Sequence, residues 1–241
     1  MTAREAAKYQ LKNLKGKPLK EKLTHILTYY WLPGVLAAVA AGAVCSMVLS
    51  ARQELPVAIS VYCLNARLTE QSDAPEALFA ERTGTNRERS RISILCAAYE
   101  STGDTVATAQ MQSFVTHLTA GEVDVLAGDP ESIRHLAANG CFRSLEAVLS
   151  PERLAAAADR LLYIDQAEVD RVFETVDADI SGIVLGSPEH MENPVPVAVV
   201  LSGDSILCRA YRFPEGNVLM GVPDSTGRET MAAAFLDMCI Q

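Results

Sequence analysis

The 241-residue chain has no low-complexity tract, no internal repeat and no Gly/Ser-rich linker. Without such a linker, nothing divides its larger part into two domains. Aromatic residues are scarce, at 6%. Basic residues are outnumbered, 21 Lys+Arg against 30 Asp+Glu, for a formal net charge of −9. That balance argues against a general nucleic-acid binder, whose affinity comes largely from Lys and Arg on phosphates. No two of the six cysteines have C-x-x-C spacing, and His190 with Glu192 falls short of a zinc set of three or four ligands. Gly128-Asp129-Pro130 and Ser202-Gly203-Asp204 lack the context of a phosphate loop or a nucleophile elbow. The acidic residues of 161–193 lack EF-hand spacing. No metal or cofactor is implied by these residues. Apolar residues are plentiful, at 49%, and that excludes a disordered chain.

The charge is divided. Residues 1–28 hold seven basic and two acidic residues, a net +5, which leaves −14 for the rest. Between them, Leu23 to Ala51 contains no Lys, Arg, Asp or Glu. Roughly 20 helical residues cross a hydrocarbon core of about 30 Å, so this stretch predicts a transmembrane helix over 26–50. Tyr29, Tyr30 and Trp31 stand at its start, where amphipathic rings favour the headgroup interface. The preceding lysines place the N-terminus in the cytoplasm and the bulk of the chain outside, at the cell membrane. A cleavable signal peptide would have a shorter apolar region, and a lipid-accepting cysteine would not follow Val44 as Cys45 does. An uncleaved single-pass anchor is therefore the expectation. Gly34, Ala38, Gly42 and Ser46 recur every four residues, on one helix face that could admit a second backbone; an Ala-rich span produces such spacing by chance as well.

Beyond a short linker at 51–55, residues 56–241 read as one α/β domain. Pro56–Asn65 and Arg91–Tyr99 are β-branched, apolar runs expected as strands. Asp73, Pro75 and Gly84 bracket a helix. Ala107, Met111, Phe114, Val115 and Leu118 mark an amphipathic one. Glu122–Gly128 holds a short strand, and Asp129-Pro130-Glu131 opens the next helix. Pro151 opens another. Residues 161–193 show no strong period and read as an irregular acidic insertion of helix and loop. Pro194–Ser202, Ile206–Tyr211 and Val218–Val222 are expected strands, and a last helix starts near Ser225 or Thr226. Strands alternating with helices imply parallel pairing.

Several phrases in this order resemble a family. ALFAERTG (Ala77–Gly84) leads into RISILC, and VDVLAGDPESIRHLAANGCFRSLEAVLS spans Val123 to Ser150. VLMGVPDSTGRETMAAAFLDMC (Val218–Cys239) comes late in the chain. Together they resemble the first lobe of extracellular solute-binding proteins. ENPVPVAVVLSGDS (Glu192–Ser205), with the basic N-terminus and the YYW span, is similar to uncharacterised single-pass membrane proteins of Gram-positive bacteria that carry such domains. The resemblance implies a periplasmic-binding-protein-like lobe with a mostly parallel sheet. It implies a non-catalytic binding or accessory module whose partners are the lipid bilayer, a membrane protein such as a transporter, or a small solute or peptide. The departure is size. Residues 151–217 are too few for a full second lobe, and one wall cannot enclose a small ligand. The rival reading is an assembly protein acting through helix packing.

The resemblance places a ligand at the carboxyl ends of the strands, as open α/β sheets do in general. Asn65, Tyr99 and Asp129 fall there; Asp129 also suits a plain helix cap, and Asn65 and Tyr99 a loop edge. Cys63 and Cys96 end neighbouring strands, either as a disulfide or as buried thiols. A Cys-His hydrolase built on Cys141 and His135 rests on sequence proximity alone.

Overall fold

The computed structural model describes residues 18, 35, 39–43 and 45–46, and residues 55–240 apart from 71–72, 100–104, 175–178 and 215. The chain forms two compact units, Met1–Glu54 and Leu55–Gln241. In the first, residues 35, 39–43 and 45–46 are helical and exposed, with Gly42 and Ser46 four apart. Tyr29, Tyr30, Trp31, Gly34 and Ala38 lie outside the described residues, as does most of the expected span. Among the described residues, no helix is long and apolar enough to cross a membrane.

In the second unit the strands are β1 (Val57–Leu64), β2 (Arg67–Leu68), β3 (Arg91–Ala97), β4 (Val125–Gly128), β5 (Leu161–Asp165), β6 (Pro194–Leu201), β7 (Tyr211–Arg212) and β8 (Val218–Gly221). The helices are α1 (Ala74–Thr83), α2 (Thr105–Thr119), α3 (Pro130–Ala138), α4 (Pro151–Ala156), α5 (Gln166–Phe173), α6 (Ile206–Ala210) and α7 (Glu229–Ile240). Six strands make one sheet in the order β3-β1-β4-β8-β6-β5, and β2 pairs with β7 in a separate ribbon. Four of the six, β1, β3, β4 and β6, run in one direction, so the sheet is mostly parallel in orientation. β8 and β5 run the other way, and pairing from β4 onward is antiparallel.

The core follows from alternation. Along β1, Val61 and Cys63 pack into one apolar cluster, Tyr62 and Leu64 into another. A strand buried on both faces has no polar side to show. Phe79 of α1 and Phe235 of α7 join the first cluster, Phe114 of α2 and Ile133 of α3 the second. Helices thus cover both faces. From β1 the chain passes to β3 on one side and then to β4 on the other, so the strand order reverses at β1.

Local signals explain most boundaries. Pro75 sits at the first turn of α1, and Gly84 closes it in a left-handed conformation (φ 67°) with its N–H on the Ala80 carbonyl. Asp73 occupies the capping position without a side-chain bond. In α2, Phe114 and Leu118 are buried, with Ala107 and Met111 half-buried on the same side; Val115 is exposed. Gly221 in β8 is required by close approach. A Cβ there would lie 2.6 Å from the Val197 carbonyl oxygen and 2.8 Å from the Phe142 ring.

Three expectations differ from the structure. Residues 206–210 form helix α6 where a strand was expected, because Ser205 accepts from the Cys208 N–H and turns the apolar run into a helical start. Residues 161–193 open with strand β5, paired to β6, before α5. The last helix begins at Glu229, because the Thr226 hydroxyl is engaged by Asp124 and by the Arg228 N–H. β5 and β6 belong to the same sheet as β1, so these two strands extend that sheet instead of building a second one.

Candidate functional site

β1, β3 and β4 end at Leu64, Ala97 and Gly128, so Asn65, Tyr99 and Asp129 lie just past the ends of three adjacent parallel strands. The structure brings these three together. Asn65 is the one non-glycine among the described residues with positive φ (55°), a conformation asparagine tolerates better than most. Its N–H bonds to the Ala97 carbonyl at 2.7 Å. Its side-chain oxygen accepts from the Tyr99 N–H at 2.8 Å, and its amide nitrogen donates to Asp129 Oδ2 at 2.9 Å and Ser132 Oγ at 3.0 Å. Asp129 caps α3, accepting from the Ser132 N–H at 3.0 Å and the Ser132 hydroxyl at 2.7 Å. Both the cap and the meeting of the trio are therefore real, and one amide braces three strand ends.

Burial opposes the ionisation of Asp129, but the bonds from Ser132 and Asn65 outweigh it and hold its carboxyl below the ordinary 3.8. A lowered folded pKa adds stability that is present above the unfolded value and lost as pH falls through the folded one. Urea midpoints of the wild type should therefore decline as pH drops below about 4. Asp129→Asn should show a shallower decline over that window. Equal slopes would mean that the carboxylate gains nothing from this network.

Asn65 and Asp129 are bonded to each other and to Ser132, and the groups beside them are Tyr99 and His135. Tyr99 OH lies 2.5 Å from His135 Nδ1, and the two rings stand edge to face at 5.7 Å. Burial, then the nearby Cys141, pushes the Tyr99 phenol up to about 12, so it stays protonated at neutral pH. As a protonated phenol it can donate to Nδ1 in the imidazole tautomer that carries its hydrogen on Nε2. Tyr99, Met111, Glu131, Ser132 and His135 line a hollow of about 210 Å³. A second hollow, of about 360 Å³, runs from Asn65 and Arg67 to Ala107 and Gln110 of α2. His135 and Ser132 are not strand-end residues, and the rule that selects strand ends passes over them. Their signal was the three-residue spacing from Asp129, which stacks the three along one side of α3.

The other candidates resolve differently. Cys141 donates to the Asn139 carbonyl at 3.9 Å while His135 meets Tyr99. Burial raises the Cys141 pKa, the opposite of what activates a nucleophilic thiol. Cys63 and Cys96 are partners in register across β1 and β3, and both are free thiols. His117 pairs with Glu122 at 2.6 Å, and Glu192 pairs with Arg171. Among the described residues, no group of three or more His, Cys, Asp or Glu could hold a metal ion.

At the opposite end of the sheet is a polar cluster that sequence reasoning missed. Asp124, fully buried, accepts from the Ser60 N–H at 2.8 Å, the Thr226 hydroxyl at 2.6 Å and Arg228 Nε at 2.8 Å. It ties β1 and the approach to β4 to the start of α7.

Comparison with known proteins finds no family model, no curated protein and no solved structure that matches this chain.

Proposed function

We propose that this chain is a membrane-anchored, non-catalytic binding module. It holds a small solute or peptide at the carboxyl end of its sheet, like an extracytoplasmic solute-binding protein reduced to one lobe, and serves a membrane partner such as a transporter. The observation that carries the reading is the convergence of Asn65, Tyr99 and Asp129 at the strand ends where the order reverses. Open α/β sheets bind ligands in that position. The brace made by Asn65 and Asp129 holds the Tyr99–His135 pair beside its hollow. Pre-organised polar groups of this kind lower the ordering cost of binding.

The hollow opens at the surface between α2 and α3, so a small ligand stays open to a second surface. A partner protein closing over it would bury the ligand, and that suits an accessory role better than solitary capture. The +5 tail and the uncharged Leu23–Ala51 stretch support the anchor.

The test is a thermal-shift screen of the full-length chain in detergent against sugars, amino acids and short peptides. At least one class should raise the melting temperature, since a ligand of the folded state stabilises it in proportion to the logarithm of its concentration. Tyr99→Ala and His135→Ala should each remove the shift. A uniform lack of stabilisation would contradict the reading.

A further inference from the structure

The two-stranded ribbon carries a like-charge pair. β2 and β7 run antiparallel, with Arg67 directly opposite Arg212. Like charges in that relation repel and weaken a ladder. Arg209 stands three residues before Arg212, at the end of α6. All three are exposed, and among the described residues none of their guanidinium groups makes a hydrogen bond or ion pair. Among the described residues, seven other arginines pair with carboxylates. Acidic partners are plentiful, in a chain of net charge −9. Asp204 and Glu70 are close by in sequence, yet neither is bonded to these arginines.

A groove of about 450 Å³ opens beside the ribbon, and Thr69, Gly203, Arg209, Arg212, Phe213 and Asn217 are among the residues that line it. That volume is within the range of small-molecule sites, about 300–1,000 Å³. The cations are all guanidinium, since no lysine occurs after Lys22. A planar guanidinium fork matches the oxygens of a phosphate two at a time, and an ammonium does not. A bound dianion would turn the Arg67–Arg212 repulsion into attraction on both sides.

We propose that this groove is a binding site for a phosphate group, free or as the phosphomonoester of a small molecule, held by Arg209 and Arg212, with Arg67 facing Arg212 across the ribbon. The site lies apart from the Tyr99–His135 hollow, and it does not require the chain to serve a transporter. Arg67 also borders the larger strand-end hollow, so a phosphorylated ligand could extend from one into the other.

The experiment is titration calorimetry of the full-length chain with inorganic phosphate and with glycerol phosphate, at constant ionic strength against chloride. Arg209→Gln and Arg212→Gln are measured alongside. Phosphate should bind, and each variant should weaken it about tenfold, the scale of a lost charge-assisted bond. Without phosphate, neither variant should lower the urea midpoint, because neither guanidinium makes a hydrogen bond or ion pair among the described residues. That readout separates a ligand site from a structural pair. Tighter binding of glycerol phosphate assigns a phosphomonoester; equal binding assigns the free ion. Sedimentation with phosphatidate vesicles, compared between wild type and the double variant, tests a lipid source of the same group. Binding that the double variant loses would support the site, with lipid as its source. Absence of phosphate and vesicle binding, or binding unchanged in both variants, would overturn the proposal. A solute response in the earlier screen, with neither phosphate nor vesicle binding, would overturn this proposal alone.

Discussion

Arg228→Ala should lower the unfolding free energy by about 3 kcal/mol, the lower end of the cost of removing one member of a buried ion pair. Asp124 is fully buried, whereas Arg228 keeps 33% of its side chain exposed. Solvent therefore screens part of the attraction, which places the effect at the lower end. The loss extends beyond one contact. Arg228 also donates to the Val57 carbonyl at 3.4 Å and the Glu122 carbonyl at 3.0 Å. Without it, the Asp124 carboxylate retains the Ser60 N–H and the Thr226 hydroxyl but loses its counter-charge. Arg228→Lys should recover part of the loss, because an ammonium supplies charge without the fork that reaches two carbonyls. Urea denaturation of the three proteins measures this. A loss below about 1 kcal/mol for Arg228→Ala would place the pair among solvated surface bridges. The cluster lies at the end of the sheet away from Asn65, Tyr99 and Asp129. Ligand affinity of the folded variant should therefore be unchanged.

Elements defined by local signals were legible in the sequence. α3 announced itself through Asp129, Pro130 and Glu131, and the structure has that cap and that proline in place. β1 and β3 were visible as β-branched runs, and the 107–111–114–118 steps gave α2 its buried side. Short apolar runs were less legible. Ile206–Ala210 is five residues long, and a run of that length carries neither a helical nor a strand period clearly. β5 was hidden by the acidic residues after it. The position of β8 between β4 and β6 is a choice of distant partners, which local patterning does not encode.

The same division holds for the sites. Asn65, Tyr99 and Asp129 were reachable because a rule about strand ends selects positions without needing contacts. Tyr99–His135 needed the rotation of α3 to be known. Asp124–Arg228 joins residues 104 apart, and Arg67 faces Arg212 only through the register of a ribbon whose two strands are far apart in the chain.

The second large effect is all-or-none. The tail of net +5 should stay in the cytoplasm, because lysines flanking a span resist translocation and are drawn to the anionic inner leaflet. The Leu55–Gln241 unit, within a remainder of net −14, should face outward. The proposed ligand binding at the carboxyl end of the sheet would serve a transporter or other surface partner only if that unit is displayed there.

The most direct measurement is protease digestion of intact cells and of inverted membrane vesicles, probed with antibodies against residues 1–22 and against the outer unit. Protease on intact cells should degrade the outer unit and leave the N-terminal tail attached to a membrane-bound fragment. In inverted vesicles the tail should be lost and the unit protected. The reverse pattern, or a chain released from membranes by a salt wash, would contradict the account.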